Sequence, residues 1–535
     1  MLQTTMAKRG AVVAPHHLAS QAGLRVLQDG GNAIEAMVAA AATIVVVYPH
    51  MNALGGDNFW LIHAPGTDSV GIDACGAAAA KADIAFYRDL GHDSIPSRGP
   101  LAALTVAGAV SGWQAALTVS EKEWGGTLSL SRIFEDAAYY AREGFPATQS
   151  QHQNTADKLP ELRDAPGFAE TFLSDGTPPA IGAVFKNPAL AETFERLGKD
   201  GLDDFYRGGL AQNLAAGLEN AGSPIRAGDL ANHHALFVKP LSVSLATGTV
   251  YNMPPPTQGL ASLILLGVYE RLGIGAAESF EYVHGLVEAT KCAFRVRDRY
   301  VTDPAYMDVD PTDFMTTDTL DKMAKSVSPA KAAPWPESTP GGDTVWLGAI
   351  DSEGRAVSFI QSLYWEFGSG VVLPETGIIW QNRGTSFNLE VDGHNCLMPG
   401  RRPFHTIQPA LAKLSDGRTM VYGTMGGEGQ PQTQAMIYSR YVMHGQDLQQ
   451  AVTAPRWLLG RTWGAETTNL RIEDRFDNKV LSALQAAGHD VEVVGPFEEF
   501  MGHAGALVHH PPEDKNAALI EGAADPRSDG QVAGF

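Results

Sequence analysis

Thr344 opens a strand-like run, residues 344–350, directly after the Pro- and Gly-rich stretch 326–342, with Asp343 between the two. A threonine at the start of a strand is ordinarily just a β-former. Three features give this one chemistry. The stretch before it holds Pro329, Pro334, Pro336, Pro340 and Gly341-Gly342, which reads as an exposed loop where the chain can be cut. Asp343 precedes it, and that side chain with its strained neighbours can assist an N-to-O acyl shift. Two glycine turns follow, Gly368-Ser369-Gly370 and Gly426-Gly427, and the backbone N–H groups of such turns can be aimed at one oxygen. Breaking the 343–344 bond gives Thr344 a free α-amine. Its reference pKa of about 7.7–8.0 suits it to act as base for the threonine's own hydroxyl. The chemistry implied is nucleophilic attack on a carbonyl.

Other signatures are missing. The sequence has no GxSxG elbow, no HExxH and no GxxxxGK[ST], and Gly273-Ile274-Gly275 lacks the third glycine of a dinucleotide fingerprint. The histidine pairs His16-His17, His233-His234 and His509-His510 are adjacent residues, which point to opposite faces of a strand and chelate poorly. Cys75, Cys292 and Cys396 are far apart and without CxxC spacing, which predicts neither a disulfide framework nor a zinc site. No metal is expected, and the chemistry requires no cofactor.

The elements that position these residues follow from pattern. Residues 344–350, the turn Asp351-Ser352-Glu353-Gly354 and residues 356–364 predict a β-hairpin, with further strands at 377–380 and 420–424. Asn32 is a candidate N-cap for an Ala/Val-rich helix that stops before Pro49; apolar nearly all round, it must be covered on several sides in a layered structure. Residues 58–63 predict a strand after Gly55-Gly56-Asp57, and 128–143 and 280–302 predict helices. The apolar run 36–47 is too short to cross a bilayer, and the N-terminal residues lack the apolar region of a signal peptide, so the expected address is the cytoplasm. Length, 535 residues, allows two to four domains or one interwoven core. The net charge of −21 argues against a nucleic-acid partner and against docking on an anionic membrane.

Gly31-Asn32-Ala33-Ile34-Glu35-Ala36, Leu54-Gly55-Gly56-Asp57, Phe367-Gly368-Ser369-Gly370, Gly426-Gly427 and Ala524-Asp525-Pro526-Arg527-Ser528 occur in an order that resembles the γ-glutamyltranspeptidase family of N-terminal-nucleophile hydrolases. The likeness covers nearly the whole chain. It implies an α+β fold, a four-layer αββα sandwich, and autocleavage into a large segment, residues 1–343, and a small segment, 344–535, that stay associated in one core. A dimer of the cut pair is a further implied assembly. Carried across, the resemblance makes Thr344 the nucleophile, Gly426-Gly427 the oxyanion hole, and Ser362 the counterpart of a threonine that supports the nucleophile's amine.

The chain departs from that pattern around the substrate. Cys75 stands where the glutamyl enzymes have an arginine for the α-carboxylate, Tyr364 and Ser386 where an asparagine and an aspartate hold the α-amino group, and His405-Thr406 where they have a serine pair. A cationic amine thereby loses its carboxylate partner, and Tyr364 with Trp365 crowds the pocket. Arg383 stands where the family has a neutral or acidic side chain, and a guanidinium there offers two parallel donors to a carboxylate beside the scissile carbonyl. Arg401, Arg402 and His405 are the other groups able to draw an anion into an acidic protein.

The strings Gly342-Asp343-Thr344-Val345-Trp346-Leu347-Gly348, Trp380-Gln381-Asn382-Arg383-Gly384, Pro403-Phe404-His405-Thr406 and Gly423-Thr424-Met425-Gly426-Gly427-Glu428-Gly429-Gln430 are similar to the oxamate amidohydrolase branch of the family. That branch implies hydrolysis of a small anionic amide, oxamate, to oxalate and ammonia, a late step in purine-nitrogen salvage. The alternatives are a γ-glutamyl hydrolase or transpeptidase acting on glutathione-like substrates, and a family member without catalytic function.

Overall fold

The computed structural model describes residues 3–335, 343–460, 468–512 and 518–535. The expected hairpin forms. Asp343–Asp351 pairs antiparallel with Ala356–Tyr364, and Asp351 Oδ1 closes the turn by accepting the N–H groups of Glu353 and Arg355. Among the described residues this hairpin is the middle of a seven-stranded antiparallel sheet. Its order is Gln531–Gly534, Gly10–Ala14, Asp343–Asp351, Ala356–Tyr364, Asp57–His63, Val70–Ala74, Leu236–Val238. A second seven-stranded sheet runs Thr5–Ala7, Leu519–Ala524, Ala504–His510, Thr419–Thr424, Ala410–Leu414, Gly248–Asn252, Leu241–Leu245.

Ala356–Tyr364 and Asp57–His63 are buried at every position, so both their faces are covered, unlike an antiparallel sheet with one side in water. One face meets the other sheet through Val13, Phe59, Leu61, Trp346, Ile360, Leu411, Val421 and Leu507. The opposite face meets helices, foremost Ala33–Val47, and the second sheet is covered in turn by Gly259–Arg271 and Phe280–Tyr300. The layers are therefore helix, sheet, sheet, helix: an α+β, αββα sandwich. Trp346, two residues past Thr344, sits between the sheets with its Nε1 donating to Ser358 Oγ at 3.0 Å. A Cβ on Gly423 or Gly505, which pair across the facing sheet, would come within 2.3 or 2.7 Å of the indole, so both positions must be bare for the sheets to close over it.

The helix Ala33–Val47 is buried throughout, as its composition requires. Asn32 caps it by accepting the N–H groups of Ile34 and Glu35, while Glu35 reaches back to the Asn32 N–H at 2.9 Å, a capping box. Ala33 N–H is taken by Asp351 Oδ2 at 3.0 Å, which ties the helix start to the hairpin turn.

Two expectations are corrected. The helix foreseen over 128–143 is two, Leu130–Ile133 and Glu135–Glu143, broken at Phe134, whose ring is buried between Trp113 and Phe194. The strand at 377–380 shrinks to Ile378–Ile379 in a two-stranded ribbon with Val372–Leu373. The loop over 326–342 is exposed at residues 329–331 and 334, as expected, and is tied down along its described part: Lys291 Nζ donates to Ala333 O at 2.8 Å, Glu288 Oε2 accepts the Ala333 N–H at 3.0 Å, and the half-buried Trp335 packs near Phe294. Residues 336–342, with Pro336, Pro340 and Gly341-Gly342, lie outside the described residues. Among the described residues no helix is long and apolar enough to cross a membrane.

Candidate active site

Thr344 is fully buried at an irregularity of the hairpin: the register runs Asp343↔Tyr364, then jumps to Val345↔Gln361, a bulge that re-aims a side chain. Gln430 Nε2 lies 3.4 Å from Thr344 Oγ, and the amide is held by its oxygen, which accepts the Gln408 N–H at 3.1 Å. Ser362 Oγ accepts the N–H of Tyr364 at 2.8 Å, and this helps hold Tyr364 at φ +84°, a strained value for a side-chain-bearing residue.

Gly426 and Gly427 lie between the strand Thr419–Thr424 and the helix Gly429–Tyr438, at φ +109° and +51°. Such successive left-handed values are open to glycine and would strain other residues. Their carbonyls accept the N–H groups of Gly429, at 2.8 Å, and Gln430, at 3.2 Å, while neither of their own N–H groups donates to an acceptor among the described residues. Two adjacent unclaimed N–H groups form an anion-binding concavity. Gln258 holds the turn from behind: its Nε2 donates to Gly427 O at 2.8 Å and to Thr406 O at 2.6 Å. Its Oε1 accepts from Arg297, which also pairs with Glu428 at 2.8 Å, both charges being buried.

From Thr406 the contacts continue into the pocket. Arg383, 1% exposed, approaches Thr406 Oγ at 3.4 Å and stacks 3.8 Å over the Tyr364 ring. Its NH2 has no hydrogen-bond partner among the described residues. Burial draws its pKa down to about 10, with Tyr364, Asp57 and Cys75 pulling the other way, so it stays cationic at neutral pH. His405 is fully buried, and burial, then Arg383 and Arg402, holds its imidazole neutral, well below the usual range. The structure thus links Thr344, Gln430, Gly427, Gln258, Thr406, Arg383, Tyr364 and Ser362 in one chain of contacts.

Other sequence candidates fall outside that chain of contacts. Ser386 spends its hydroxyl on the carbonyls of Arg383 and Phe404. Cys75 is buried, its N–H on Asp73 Oδ1 and its thiol pushed up by burial. Arg401 is consumed by Cys396 O and Sγ, Thr302 Oγ and His394 O, and Arg402 by Asp73 and Asp303, so both are structural.

Sequence reading missed Gln258, Arg297, and the roles of Gln430, Glu428 and Asp57. Asp57 matters most: the site holds a carboxylate after all. It sits beside Ser362 in the strand pairing, its Oδ1 accepts the N–H groups of Gly76 and Gly108, and burial pushes its pKa up to about 7 against those bonds and Arg383. A metal-ligand grouping went unforeseen too, His284, Glu288 and His489. Both ring nitrogens of His284 are engaged, with His489 and Ser328 O, and both Glu288 oxygens, with Lys291 and Ala333. It is a closed network that anchors residues 328–333.

Residues 19–535 match the family described as Gamma-glutamyltranspeptidase. The chain belongs to the γ-glutamyltranspeptidase family. It is 52% identical over 535 residues, the full length of both, to the oxamate amidohydrolase proenzyme of Klebsiella pneumoniae. It is 40% identical, again over the whole of both chains, to the glutathione hydrolase-like YwrD proenzyme of Bacillus subtilis. Among solved structures it is similar to a cephalosporin acylase from Bacillus halodurans, with a TM-score of 0.90 and 30% identity over 100% of this chain and 97% of that one. The αββα sandwich is thus the N-terminal-nucleophile hydrolase fold the sequence implied.

Proposed function

We propose that this family member is an amidohydrolase, cut between Asp343 and Thr344, that hydrolyses oxamate to oxalate and ammonia through an acyl ester on Thr344. The observation that carries the reading is the pairing of two unclaimed N–H groups, on Gly426 and Gly427, with a buried guanidinium, Arg383, that has an unclaimed donor. One suits a carbonyl oxygen that gains charge, and the other a carboxylate. Gly427 and Arg383 belong to the chain of contacts that includes Thr344, with Gly426 adjacent to Gly427, and a molecule with a carboxylate one bond from its amide carbon has the matching shape. The Klebsiella relative's name supports the same substrate.

The mechanism has four steps. Thr344 Oγ attacks the Asp343 carbonyl, and water hydrolyses the resulting ester, which frees the Thr344 amine. That amine accepts the hydroxyl proton as Oγ attacks the substrate amide, whose oxygen turns to Gly426 and Gly427. The amine's proton passes to the leaving nitrogen, and ammonia departs. Water then hydrolyses the oxalyl ester. The cut leaves the segments 1–343 and 344–535 interleaved, since Gly10–Ala14 and Asp57–His63 flank the small segment's hairpin and Gly248–Asn252 pairs with Ala410–Leu414. Association after cleavage needs no further interface.

The test is ammonia release from oxamate, with Thr344→Ala as the blank. Release by the cut protein that vanishes in the uncut variant is expected. No release from properly cut protein would reject oxamate, and turnover of a γ-glutamyl anilide instead would favour a glutathione-type substrate.

A further inference from the structure

Three buried side chains in the pocket carry polar atoms with no hydrogen-bond partner among the described residues: Asp57 Oδ2, Arg383 NH2 and both ring nitrogens of His405. Buried polar groups are almost always bonded, so a convergence of orphans marks space for a ligand. Asp57 Oδ2 faces His405 Nε2 at 3.6 Å, too far for a hydrogen bond. Asp57 itself is fixed, since its other oxygen is held by two glycine N–H groups at 3.1 and 2.9 Å. Its strand is next to Ala356–Tyr364, which is next to the strand of Thr344, so the carboxylate and the nucleophile are carried two strands, roughly 10 Å, apart on one sheet.

The orphans are not all of one kind. Arg383 is a pure donor and suits a carboxylate; Asp57 in its ionised form, which Arg383 favours, is a pure acceptor and needs an N–H. We infer that Asp57 Oδ2 is the acceptor for the –NH2 group of the substrate, so that the site selects a primary amide beside a carboxylate; this rests on the functional reading above. An oxalate monoester has the same carboxylate but no N–H, and leaves Asp57 unsatisfied. The product oxalate presents an oxygen to Asp57 where the substrate had its nitrogen, and like charges there favour its release. Asp57 leaves the attack by Thr344 and the departure of ammonia as already written; it holds the nitrogen while they occur.

The experiment compares oxamate with monoethyl oxalate in wild type and Asp57→Asn. Asparagine keeps the oxygen for Gly76 and Gly108 but turns the acceptor into a donor. The variant is expected to lose about 100-fold in kcat/KM for oxamate and less than about threefold for the ester, since a site built to bond an N–H discriminates strongly against its loss. Inhibition by oxalate should tighten. Wild type needs no variant to give a first answer: it should prefer the amide, although esters are intrinsically more reactive. Equal losses on both substrates would make Asp57 a structural or water-binding group and overturn the inference while leaving the function standing. Selective loss of a γ-glutamyl anilide activity would assign Asp57 to an amine instead. Absence of any oxamate turnover by cut wild type would remove the functional reading itself.

Discussion

Replacing Arg383 by glutamine removes the pocket's only fully buried guanidinium with a spare donor among the described residues. Within the protein Arg383 has one long contact, 3.4 Å to Thr406, and the Tyr364 ring, so little is lost in the free protein. What is lost is the partner of a bound carboxylate. Truncating one side of a buried, hydrogen-bonded charge pair costs about 2–5 kcal/mol. Taking about 3 kcal/mol, the KM for oxamate rises roughly 100-fold, at about 1.4 kcal/mol per factor of ten. Arg383→Lys keeps the charge and loses the fork, worth about 1–1.5 kcal/mol, so its KM rises roughly tenfold. Burial lowers the Arg383 pKa, so its charge opposes folding, and Arg383→Gln should melt at or above the wild-type temperature and still be cut. Steady-state ammonia release, melting and denatured mass measure the three outcomes. A KM within about twofold of wild type in Arg383→Gln, with fold and cleavage intact, refutes the carboxylate assignment.

Further outcomes follow from the ion pair and from Asp57. Arg297→Met removes the buried cation that pairs with Glu428 next to the Gly426-Gly427 turn and should cost about 3–5 kcal/mol of stability, read by denaturant unfolding; an unchanged midpoint would contradict the pair's role. Asp57 carries a folded pKa of about 7, above the 3.8 of the unfolded chain, beside Arg383, His405 and Cys75. Its protonated form is the one the fold favours, so stability from this group is full below pH 3.8 and is lost as pH rises toward 7. The melting temperature of Asp57→Asn relative to wild type should therefore climb between about pH 5 and pH 7 and then level off. A difference that stays flat or shrinks over that window would contradict the raised pKa.

The scaffold was legible because its signals are local. Asn32 and Glu35 three residues apart announce a capped helix, and the hairpin around Asp351 follows from two strand-like runs and a turn. Phe134 was not legible: the sequence around it is helical, and only the aromatic partners that bury it, Trp113 and Phe194, decide where the helix breaks. At the site, Thr344 and Gly426-Gly427 stand out by composition and by family order. Asp57, Gln258 and Arg297 do not, since their meaning comes from what the folding of distant segments leaves unpaired or ties together. Arg401 and Arg402 were ambiguous for the same reason, since Thr302, Asp73 and Asp303 claim them only in three dimensions.

Whether Thr344 becomes an N-terminal nucleophile shows in the mass of the purified, denatured protein. Two chains are expected, residues 1–343 and 344–535, the smaller beginning at Thr344, and a single uncut chain in Thr344→Ala. A wild-type protein found only as the intact 56.9 kDa chain, or a Thr344→Ala protein cut at the same bond, would contradict it.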